Sequence, residues 1–122
     1  MNQSELEGLC DAWLRAWSGN RPADLLACYS EGAFYRDPAR PEGLRGQEAL
    51  RIYFEKLLAK NPDWVWRRQE LIPTARGFVL KWEASIPHRG AATRIEGLDI
   101  VELEGRKISR NEVYFDPLPL RQ

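Results

Sequence analysis

The chain of 122 residues is short of most things that announce a function. It has one histidine and two cysteines, Cys10 and Cys28. That is too few for a usual zinc site, so no metal is expected. It has no charge excess, because 18 basic residues meet 18 acidic ones. A balanced chain offers no field to hold nucleic acid or an anionic membrane, and both are excluded as main partners. Blocks of like charge are missing too, the densest basic spot being Arg67-Arg68. No apolar run approaches the roughly 20 residues that a membrane helix needs. The start, Met1-Asn2-Gln3-Ser4-Glu5, lacks the basic residues and apolar core of a signal peptide, and the expected compartment is the cytoplasm. There both thiols are expected reduced and buried rather than paired. What the chain has in quantity is rigid aromatic surface, with five Trp, four Tyr and four Phe. That suits a thick core and equally an aromatic-walled pocket.

Length fits one domain, 1–122, and a chain of this size buries roughly two thirds of its unfolded surface, enough for a core without staples. Leu6, Leu9, Cys10, Trp13, Leu14 and Trp17 recur at helical spacing. Ser4 and Glu7 read as a capping box for that helix, and Gly19-Asn20 as its end. Pro22 opens a second, short helix through Leu25, Leu26 and Tyr29, closed by Gly32. Residues 33–46, rich in proline and glycine, read as a loop with one extended piece, Phe34-Tyr35-Arg36-Asp37. A third helix covers Gln47–Lys60 and stops at Asn61-Pro62.

The period then changes. Trp64–Ile72, Phe78–Ile86, Thr93–Leu103 and Lys107–Asp116 alternate like strands, with turns at Gly77, Arg89-Gly90 and Glu104-Gly105. Helices followed by consecutive strands predict an α+β fold: three helices gathered on one face of a curved antiparallel sheet. Alternation assigns faces. Phe78, Leu80, Trp82 and Ala84 share one; Ile95, Gly97, Asp99, Val101 and Leu103 share another; Ser109, Asn111, Val113 and Phe115 a third. Phe78, Leu80, Trp82, Val101 and Phe115 are expected to face the helices. Leu98 and Ile100 point the other way, onto an outer face that is a candidate dimer contact.

Asp99 stands out, since an acid in an apolar strand face is costly unless it is paired, protonated or beside a wet pocket. It reads either as a buried acceptor for a helix end or Trp indoles, or as a site residue with Asn111 beside it. Asp37, before Pro38, reads as a turn-former or as a second carboxylate in a loop closing one end of the sheet. Two carboxylates in unlike surroundings, one exposed (Asp37) and one in an apolar wall (Asp99), are what acid/base work on a neutral substrate requires. Trp17, Trp13, Tyr35 and Tyr53 are candidates for contact with a ligand, along with Trp82, Val101, Asn111 and Phe115. Trp64 and Trp66 share a face that would serve as a pocket wall, but they read first as core or subunit interface. His88, in a turn, is given no role.

The run Leu26-Ala-Cys-Tyr-Ser-Glu-Gly-Ala-Phe-Tyr-Arg-Asp-Pro, the run Gly46-Gln-Glu-Ala-Leu-Arg-Ile-Tyr-Phe, and the pair Gly97-Leu-Asp-Ile-Val-Glu-Leu-Glu-Gly-Arg-Lys-Ile and Val113-Tyr-Phe-Asp resemble SnoaL-like and ketosteroid-isomerase-like proteins of the nuclear-transport-factor-2-like superfamily. The resemblance implies a cone-shaped α+β barrel around one pocket for a small apolar molecule, with no cofactor, and commonly a homodimer. It places Asp37 as the proton-shuttling base and Asp99 as a protonated acid donating to a substrate oxygen, as in the steroid isomerases. Trp13 stands where those isomerases carry an oxyanion-hole Tyr. The expected activity is that of an isomerase or cyclase; the other expectation is a non-catalytic binding or protein-interaction module.

Overall fold

The computed structural model describes residues 1–121. The first helix, α1 (Gln3–Ala16), buries Leu6, Cys10, Trp13 and Leu14 on one stripe. Its capping box lies two residues earlier than Ser4: Asn2 is the N-cap, its side chain accepts from the Glu5 backbone N–H, and Glu5 reciprocates. Asn is as good a cap as Ser, and the earlier start brings Glu5 within 3.0 Å of Arg106. A short α2 (Pro22–Leu26) and the longer α3 (Gln47–Lys60) complete the helices.

The sheet has six strands where alternation gave four. They are β1 (Tyr29–Asp37), β2 (Arg40–Arg45), β3 (Val65–Pro73), β4 (Gly77–His88), β5 (Ala91–Glu104) and β6 (Lys107–Phe115), in the order β2-β1-β6-β5-β4-β3. The four expected strands form the antiparallel meander. The proline- and glycine-rich segment is a hairpin, β1–β2, and β1 lies parallel to β6. The sheet is therefore mixed rather than wholly antiparallel. It is curved, with β2 and β3 at open edges, and does not close into a barrel.

The second helix ends before Tyr29 because the chain there is claimed by the sheet. The Cys28 carbonyl accepts from the Ile108 N–H at 2.8 Å, and Tyr29 pairs with Ile108. The turn between β1 and β2 is made by Asp37, whose Oδ1 accepts from the N–H groups of Ala39 and Arg40, both at 2.9 Å. Arg89 and Gly90 both have positive φ, as a tight hairpin turn requires.

The inner faces fall as alternation assigns them. Phe78, Leu80, Trp82, Ala84, Ile95 and Val101 are buried, and Phe115 is half-buried against the same core. Arg68 on β3 holds α1 through a paired hydrogen bond to Asp11, at 2.9 and 3.1 Å. Cys10 is buried and Cys28 half-buried, and both are free thiols. Burial pushes the Cys10 thiol up to about 12. No helix among the described residues is long and apolar enough to cross a membrane.

Candidate active site

A cavity of about 140 Å³ opens between the curved sheet and the helices. Its walls are Leu14 and Trp17 of α1, Tyr35 and Asp37 of β1, Tyr53 and Leu57 of α3, and Trp64, Trp66, Trp82, Ile86, Asp99, Val113 and Phe115 from the meander. Asp37 and Asp99 thus line one space, although they arrive on strands separated in the sheet by β6.

Asp37 is 8% exposed and accepts four hydrogen bonds. Oδ1 takes the two backbone N–H groups of the hairpin turn. Oδ2 takes the hydroxyls of Tyr35 at 2.6 Å and Tyr53 at 2.7 Å. A carboxylate has about four lone-pair positions, so all are engaged. Oδ1 thus forms the turn while Oδ2 lies in the cavity wall, and Asp37 is buried where an exposed carboxylate was expected, because the hairpin and both Tyr rings close over it. Burial holds the Tyr35 phenol well above its ordinary value, and burial with the Asp37 hydrogen bond does the same to Tyr53. Both stay protonated and both donate.

Asp99 is 4% exposed. Its Oδ1 accepts from the Trp82 indole N–H at 2.7 Å and its Oδ2 from the Asn111 amide at 2.9 Å. The orientation of that amide is dictated from further in. The Trp13 indole can only donate, and it gives its proton to the Tyr29 hydroxyl at 3.1 Å. Tyr29 then donates to Asn111 Oδ1 at 2.8 Å, which leaves the Asn111 NH₂ group facing Asp99. Burial pushes the Asp99 carboxyl up to about 7; the Asn111 and Trp82 hydrogen bonds oppose this and the Asp37 charge adds to it.

Of the aromatic candidates, Trp17, Tyr35, Tyr53, Trp82 and Phe115 line the cavity. Trp13, Val101 and Asn111 do not. Trp13 is 1% exposed, packs edge-to-face on Phe78 and donates inward, so it stands behind the site and supplies no group to a ligand. Val101, further along β5 from Asp99, is sealed in the core. Asn111 is fully buried and reaches the cavity only through Asp99. Trp64 and Trp66 are the reverse case, cavity walls where core or interface was expected. Their shared face was visible in the alternation; that it bends over the opening was not. Tyr29 was missed altogether because it was assigned to a helix. Among the described residues there is no group of three or more His, Cys, Asp or Glu that would hold a metal.

A curved sheet with three helices around one cavity is the nuclear-transport-factor-2-like fold. Within it, the chain belongs to the family of SnoaL-like domains, whose model matches residues 10–111. Similar solved structures include a ketosteroid-isomerase-like protein of Catenulispora acidiphila in complex with trimethylamine, 15% identical with a TM-score of 0.78, the match covering 88% of this chain and 85% of that one. Another is RV0760c from Mycobacterium tuberculosis, 15% identical with a TM-score of 0.80, covering 98% and 96%. A third is a SnoaL-like protein of unknown function from Burkholderia thailandensis, 18% identical with a TM-score of 0.77, covering 95% and 98%. At these identities the likeness speaks for the fold. No curated protein matches the chain.

Proposed function

We propose that this chain is a small-molecule enzyme that moves a proton on a compact carbonyl compound, with Asp37 as general base and Asp99 as the acid that steadies the developing enolate. The observation that carries this reading is that two buried carboxylates in unlike surroundings share one apolar cavity. Asp99, raised by burial, holds a proton that it can donate to a substrate oxygen near neutral pH. The cavity takes a molecule of roughly single-ring size, since a cavity of about 150 Å³ accommodates benzene.

The test is turnover of small cyclic enones and diketones. Asp37→Asn is expected to remove nearly all activity, as no His or Cys lines the cavity to replace it. Asp99→Asn is expected to cost less, because an amide still donates to oxygen, and Asp99→Leu more. If both Asn variants turn over a confirmed substrate like the parent, the catalytic reading is wrong.

A second reading has its own support. With all four lone-pair positions of Asp37 occupied, a proton can reach it only if Tyr35, Tyr53 or a turn N–H lets go. A carboxylate so fully engaged suits a binding module that uses charge rather than basicity.

A further inference from the structure

We propose that the ligand of this cavity carries a compact alkylated ammonium group, held by the carboxylate field and the aromatic walls together. The inference rests on the reading of the cavity as the ligand site, and it holds whether or not the ligand is turned over.

Charge comes first. The only acidic or basic side chains in the cavity wall are Asp37 and Asp99; no Lys, Arg or His lines it. The Tyr35 and Tyr53 phenols are held protonated and add no charge. Arg40, the cation beside this end of the fold, stacks its guanidinium 5.6 Å from the Tyr53 ring centroid without lining the cavity. That field favours a cation over a neutral molecule of the same shape, the more so as Asp99 gives up its proton above about 7.

The walls favour the same charge. Trp64, Trp66 and Trp82 stand edge-to-face in sequence, at 87° and 81°. Phe115 continues the run beyond Trp82 at 66°, and Trp17 flanks Trp66 at 57°. Rings set at such angles wrap a concave surface, and aromatic faces attract cations through their quadrupole.

The hydrogen bonding then selects the kind of cation. A primary ammonium brings three N–H donors that need acceptors. Asp37 has no lone pair left to offer, and each oxygen of Asp99 already accepts one bond, which leaves at most two positions for three donors. A fully alkylated ammonium brings charge with no donor, so it gains the field and the aromatic contact without displacing a bond. Its size agrees with a cavity of about 140 Å³.

Choline and 3,3-dimethyl-1-butanol differ only in a quaternary nitrogen replaced by carbon. Each is titrated into the whole chain at fixed ionic strength and followed by calorimetry and Trp fluorescence. Choline is expected to bind at least tenfold more tightly. Asp37→Asn is expected to remove most of that preference, bringing the two affinities within threefold of one another. Trp64→Leu, at a half-buried wall position, is expected to weaken choline at least threefold. Equal binding of the two probes overturns the inference while leaving the cavity as a ligand site. A choline preference that survives both substitutions also overturns it, since the cation is then bound elsewhere. Absence of any signal from either probe removes the ligand-site reading as well.

Discussion

Asp99 puts a carboxyl into a wall of hydrocarbon, and its protonation state decides what that costs. The folded state raises it to about 7 from an ordinary value of 3.8. Between those values the folded chain binds a proton that the unfolded chain has released, so stability falls as pH rises through this window. The limiting slope is about 1.4 kcal/mol per pH unit for one group. Asp99→Asn keeps the shape and abolishes the titration. Urea denaturation of both proteins from pH 4.5 to 7.5 is expected to show the parent losing stability relative to the variant as pH increases. A difference that stays constant across the range would mean that Asp99 is charged throughout. Comparing the two proteins cancels the oppositely directed contributions of Glu5, Glu48 and Glu112, whose values are lowered by hydrogen bonds from the Asn2 backbone–Glu5 cap, Arg51 and Tyr114 respectively.

At the scale of elements, the β4–β5 hairpin shows how a strand pair fixes that acid. Trp82 sits opposite Gly97 in the register, one position along the same face from the Leu80–Asp99 pair. To bring its N–H to Asp99, the Trp82 indole lies over Gly97, where a Cβ would stand 2.3 Å from the ring. Gly97→Ala therefore forces the indole off Asp99, overpacks the sheet and is expected to cost about 2–3 kcal/mol in thermal or urea unfolding. A near-neutral result would show that the indole has room to move. The meander was legible in the sequence because each strand is long, alternates and ends in a turn residue. The inward set that includes Asp99 was legible for the same reason. The β1–β2 hairpin was not: its prolines and glycines mask a period of two, and its main support is a parallel partner, β6, far along the chain. Losing the start of β1 to a helix also hid Tyr29, and with it the relay that orients Asn111. An Asp before Pro is by itself only a turn signal; the placement of Asp37 came from its loop, expected to close one end of the sheet, and from the family resemblance. Trp13 was misplaced because helical spacing marks the buried stripe of α1 without saying which part of it meets the opening.

For the molecule as a whole, the outer face of the sheet is the unusual surface. Leu98 and Tyr114 are registered neighbours on β5 and β6 and are 46% and 42% exposed. Ile72 on β3 adds a third apolar group, 49% exposed. Charged pairs such as Arg94–Glu83 and Arg110–Glu112 surround them. An apolar patch rimmed by charges is the composition of a contact surface, and we expect two copies to pair there. Light scattering at micromolar concentration should give a two-chain mass for the parent and a one-chain mass for Leu98→Asp; a strict monomer in the parent rejects the pairing. The parallel joint between β1 and β6 has a further consequence, for the order in which the chain folds. The hairpins of the meander close over short loops, whereas Tyr35 must find Asn111 across most of the chain, and that search costs loop entropy before any contact repays it. The cavity is therefore sealed late. Until β1 docks, Tyr29 cannot hold Asn111 and Asp37 is not in place beside Asp99. The burial that raises the Asp99 carboxyl is expected to be complete only when the two ends of the fold meet.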